Sequence, residues 1–83
     1  MIDSAQLRAA RSMLELSQPD LAKSAGVSVS TLKRAEGKIQ PPASRDAVTA
    51  IRKALEAAGV EFIEENGGGA GVRMREKSNA QKG

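Results

Sequence analysis

The chain has 83 residues with 13 Lys and Arg against 10 Asp and Glu, a net charge of +3, and neither cysteine nor histidine. That excludes disulfides, thiolate metal sites and the commonest general base, and leaves room for one domain with a small core. No apolar run approaches the ~18 residues that span a bilayer and residues 1–4 lack the pattern of a secretory leader, so the expectation is a cytoplasmic chain with no membrane partner.

Helix starts follow a repeated signal. Asp3 suits an N-cap, with Gln6 placed to complete a capping box and Ile2 with Leu7 to form a hydrophobic staple. The first helix then sets Leu7, Ala10, Met13 and Leu14 at helical spacing and should end near Glu15. Ser17 repeats the cap, with Asp20 three residues on, Leu16 and Leu21 as staple and Pro19 in the first turn, where its missing N–H costs nothing. Gly26 suits the left-handed position that stops a helix. Ser28 starts a third helix with Thr31 at its third position and Val27 and Leu32 as staple, running through Ala35 and Glu36 to Gly37.

Pro41 and Pro42 force an extended connection. A fourth helix starts near Ser44, with Asp46 close to its positive end, Val48, Ile51, Leu55 and Ala58 on one face, and Gly59 as the stop. Residues 60–64 favour a strand, residues 66–71 are a turn rich in glycine, and Val72-Arg73-Met74-Arg75 alternates as a half-exposed strand does. Residues 60–75 therefore read as a β-hairpin, which needs a helix or a second subunit to pack on. Residues 76–83 read as a disordered tail.

Two short capped helices joined by Gly26-Val27-Ser28 have the form of a helix-turn-helix over residues 17–37, with Ala22 and Ala25 as small residues for the crossing. With Leu7-Arg8-Ala9-Ala10-Arg11 before them, the runs Gln18-Pro19-Asp20-Leu21-Ala22, Gly26-Val27-Ser28 and Arg34-Ala35-Glu36-Gly37 resemble the Cro/phage-repressor (XRE-type) DNA-binding domain over about residues 3–58. The resemblance implies a mainly α fold: a four- to five-helix, lambda-repressor-like DNA-binding domain over residues 1–59, with the hairpin as a C-terminal extension.

It also implies roles. The third helix would lie in the major groove of double-stranded DNA, with Val29, Ser30, Thr31 and Arg34 at base edges. Arg34 would make the bidentate contact to guanine, and Val29, read as an exposed apolar residue, would meet a thymine methyl. Gln18, Ser28, Lys33 and Lys38 would hold phosphates. Glu36 matches an acidic position usually paired with an arginine of the first helix, here Arg11. Glu36 runs straight into Gly37, where the family often has an extra residue.

Function then reads as transcriptional regulation by a homodimeric (auto)repressor on a two-fold operator, because one module of this size selects too little sequence alone. Val60, Phe62, Val72 and Met74 are the expected dimer contact. The alternative is a protein-binding module of the same fold, an antitoxin or antiactivator, acting on a protein partner. Residues 27–45 weigh against it, holding Lys33, Arg34, Lys38 and Arg45 against Glu36 alone. Gly67-Gly68-Gly69 lacks the Gly-Lys-Ser/Thr ending of a phosphate loop, and Glu61, Glu64 and Glu65 read as a solvated strand edge. No enzyme activity, cofactor or metal is expected.

Overall fold

A computed structural model describes residues 3–64 and 67–75. Along them run α1 (Ser4–Met13), α2 (Gln18–Ala25), α3 (Val29–Ala35), α4 (Arg45–Ala57), β1 (Val60–Ile63) and β2 (Gly71–Met74). The fold is mainly helical with a C-terminal antiparallel hairpin, as expected from the sequence.

The caps form as the sequence predicts. Asp3 accepts from the Gln6 backbone N–H while the Gln6 side chain accepts from that of Asp3, both at 2.9 Å. Ser17, Ser28 and Ser44 cap α2, α3 and α4 by accepting from the N–H three residues on. Ile2, the outer half of the first staple, lies outside the described residues, as do Glu65 and the tail after Arg75.

Three helices end by one device. Leu16 N–H donates to Arg11 O, Val27 N–H to Ala22 O and Lys38 N–H to Lys33 O, each wrapping the last turn around a left-handed residue. Those residues are Glu15, Gly26 and Gly37, at φ of 56°, 73° and 78°. α1 thus stops two residues short of Glu15.

The core consists of Leu7 and Ala10 from α1, Leu21 and Ala22 from α2, Leu32 and Ala35 from α3, Ile51 and Leu55 from α4, and Val60 from β1. Two expected core residues stand outside it. Met13 is 41% exposed, because it lies about 120° around the helix from Leu7 at 100° per residue. Ala58 is exposed because it sits past the last turn of α4, as its cap.

α2 packs on α3 and α4, and α1 on α4, while the hairpin lies across α1 and α4. Its register pairs Val60 with Met74, Glu61 with Arg73, Phe62 with Val72 and Ile63 with Gly71. Two polar anchors seat it. Gln6 Nε2 donates to Ile63 O at 3.2 Å and to Gly71 O at 3.0 Å. At the other end Arg75 Nη2 donates to Glu56 O at 2.8 Å, placing a cation at the negative end of α4.

Candidate nucleic-acid interface

The interface is built on α2, α3 and the three residues between them. Gly26, at φ +73°, reverses the chain with open space around it, and Ser28 opens α3 at once. Leu32 and Ala35 hold the inner side of α3 against the core. That leaves Ser30 and Lys33 exposed, with Thr31 and Arg34 half-exposed beside them and Lys38 exposed just beyond the helix.

Side-chain chemistry on this surface is partly engaged. The Ser28 hydroxyl accepts from the Thr31 N–H at 3.0 Å and donates to the Thr31 hydroxyl at 2.9 Å. Arg34 Nε is buried and has no hydrogen-bond partner among the described residues. Val29 departs from its sequence reading. It is half-buried and packs against the core, so it has a structural purpose that its position one residue past a cap did not suggest.

Electrostatics here follow from one buried acid. Glu36 is fully buried, and Arg11 meets it with Nε to Oε2 at 2.6 Å and Nη2 to Oε1 at 3.0 Å. The pairing expected between these residues is present, in the bidentate form that a guanidinium favours. Residues 27–45 carry no other acid, so their exposed charge is entirely basic: Lys33, Lys38 and Arg45, with Arg34 at the margin.

Two participants in this network escaped the sequence reading. Gln18, half-buried at the start of α2, donates from Nε2 to Glu36 Oε1 at 3.1 Å. Arg8 donates from Nη1 to the Glu36 backbone carbonyl. Arg8 and Arg11 are three residues apart on α1 and so share a face, which was the available signal for Arg8. Nothing in the local sequence foretells the Gln18 contact, which spans 18 residues.

A family model described as a helix-turn-helix domain matches residues 4–62, from the first residue of α1 into β1. The chain belongs to the helix-turn-helix domain family. The match takes in every residue of the network around Glu36 and is consistent with the Cro/repressor-like resemblance. Comparison with curated proteins gives no match. Among the described residues, no helix is long and apolar enough to cross a membrane.

The residues expected at a dimer contact differ in how far this helix-turn-helix protein packs them within its own chain. Val60 is completely buried under its own helices, and Phe62 and Val72 pack half-buried against the same core. Of the four only Met74, 46% exposed, stands largely free. The inner face of the hairpin packs against α1 and α4, the helix partner that was one of the two expected for it. On the outer face, the Glu61 carboxylate accepts from Arg73 Nε at 2.9 Å. The Gly67–Gly69 stretch lies between two strands, without the following helix of a phosphate-binding loop.

Proposed function

We propose that this protein is a sequence-specific double-stranded DNA-binding regulator, acting in the cytoplasm as a dimeric repressor that can control its own gene. The observation that carries the reading is the burial of Glu36 against Arg11, which clears the exposed side of α3 of negative charge. A phosphate backbone is attracted to such a surface whatever its sequence.

On this reading α3 enters the major groove. Ser30, Thr31 and Arg34 read base edges, and the uncovered edge of Val29 touches a thymine methyl. The half-exposed position of Arg34 on α3 supports the guanine contact. Gln18, Ser28, Lys33 and Lys38 hold phosphates on either side. Gln18 has a second amide hydrogen beyond the one given to Glu36, which supports its role at the backbone.

Fluorescence anisotropy on DNA from upstream of its own gene, against random DNA and over a salt range, tests the proposal. The expected result is a preference of about 10³-fold or more, with affinity falling steeply as salt rises. Weak, equal binding to both would overturn the specific-regulator reading and favour a protein-binding module.

A further inference from the structure

Arg8 and Arg11, three residues apart on α1, end in different electrostatic states. Arg11 is engaged on all three of its nitrogens, Nε and Nη2 with the Glu36 carboxylate and Nη1 with the Leu16 carbonyl. Arg8 gives a single hydrogen bond, from Nη1 to the Glu36 carbonyl, and among the described residues no carboxylate pairs with it. The cause lies in the sequence. Its helical neighbours are Ser4, Ala5, Arg11 and Ser12, none of them acidic, and the Glu36 carboxylate is taken up by Arg11 and Gln18.

Arg8 is half-buried, yet its Nε and Nη2, which make no bond, are not among the buried atoms left without a partner. Both therefore open to water. They do so at the C-terminal end of α3: Arg8 Nη1 lies 3.6 Å from where a Cβ of Gly37 would stand. The guanidinium thus rests against Gly37, and Lys38 follows it, exposed. A helix C-terminus is a negative pole, whose bare carbonyls would repel a phosphate. Arg8 covers the Glu36 carbonyl there and leaves an unpaired positive charge beside it.

We infer that Arg8 is a phosphate-binding residue of the DNA interface, holding one backbone phosphodiester through Nε and Nη2 beside Lys38. This rests on the DNA reading above and adds α1 to a surface otherwise built from α2 and α3. The Nε–H and Nη2–H bonds of a guanidinium run parallel and match two oxygens of one phosphate. The ligand is backbone rather than base because Arg8 stands at the opposite end of α3 from Val29 and Ser30, the first residues of that helix. The N-terminal residues of a recognition helix are the ones that meet base edges.

Arg8→Met removes the charge and Arg8→Lys keeps it. Fluorescence anisotropy of the full chain on a random-sequence duplex, over a salt range, reads the contact, because each phosphate neutralised adds about 0.9 to the slope of log affinity against log salt. Arg8→Met should lower that slope by about 1 and weaken binding about eightfold near 0.1 M salt, the factor one released counterion gives. Arg8→Lys should keep the natural slope. Loss of the bond to the Glu36 carbonyl alone would lower the melting temperature and leave the slope unmoved, so melts of both variants separate the two roles. In the natural chain, which needs no variant to fold, the NMR signal of the Arg8 Nε–H should shift when the duplex is added. A natural slope in folded Arg8→Met, or an unmoved Arg8 Nε–H on bound DNA, would overturn the inference and leave the DNA reading standing. A lowered slope in a protein that prefers no sequence would support the Arg8 contact and overturn the specific-regulator reading alone. A natural chain that binds no duplex would overturn both.

Discussion

Arg11 holds Glu36 through two roughly parallel hydrogen bonds, of 2.6 Å and 3.0 Å, and so fixes the end of α3 to α1. The acid is fully buried while the arginine side chain keeps 22% exposure, so the two are unequal partners. Removing one member of a buried pair strands the other's charge. Arg11→Ala should cost about 3–5 kcal/mol in urea unfolding, because it strands a fully buried carboxylate, and Glu36→Ala toward the lower end of that range, because the arginine left behind keeps access to water. Arg11→Met combined with Glu36→Leu should recover most of the loss, and a double mutant as unstable as the worse single would refute this account.

Gln6 performs two tasks with one amide: its Oε1 closes the cap of α1 and its Nε2 seats both strands. Gln6→Ala should lose about 2–3 kcal/mol from these bonds together. Amide exchange in β1 and β2 should accelerate before that in α2 and α3. Gln6→Glu keeps the cap but turns a carboxylate toward two carbonyl oxygens. Its instability should be large at neutral pH and shrink on acidification, as protonation restores a donor; thermal melts at both pH values decide this.

Glu15, Gly26 and Gly37 share one backbone conformation, and only Glu15 has a side chain that resists it. Glu15→Gly should raise stability by about 0.5–1 kcal/mol, the relief of strain exceeding the entropy of a looser unfolded chain. Gly26→Ala should cost about 1 kcal/mol from strain alone. Gly37→Ala should cost more, because its Cβ would also lie 3.1 Å from Ser4 Oγ. Melting temperatures in the order Glu15→Gly, natural chain, Gly26→Ala, Gly37→Ala check the series.

The hydrogen bond from Arg73, and then its charge, hold the Glu61 carboxyl below the ordinary carboxylate range, with a further push from Arg75. A depressed folded value adds stability above the unfolded value of about 4.3 and loses it as pH falls through the folded one. Both side chains are well exposed, so the effect on stability is small. An NMR titration of Glu61 should show the depression, and Arg73→Ala should remove most of it.

Two basic residues should separate base reading from backbone holding. Arg34→Ala should cost about 1–3 kcal/mol on the preferred DNA and relax selection at one base position. Lys38→Ala should weaken binding to all sequences alike and lower the salt slope by about 1. Identical behaviour of the two variants across a panel of single-base operators would contradict the assigned roles.

Local signals in the chain determined the helices. Caps, staples and stops act within four or five residues, so Asp3, Ser17, Ser28, Gly26 and Gly37 could be read directly, and the Arg11–Glu36 pair followed from resemblance. The hairpin was legible as two short strands around a glycine-rich turn. What sequence could not decide was where apolar residues point once elements meet. Met13 lies outside the core and Val29 packs against it, because exposure depends on neighbours far along the chain. The packing of Val60, Phe62 and Val72 within the chain was likewise decided by tertiary structure: α1 and α4 present an apolar surface to the hairpin. Gln18 and Gln6 make their decisive contacts 18 and 57 or more residues away, and contacts at that range exist only after the helices have assembled.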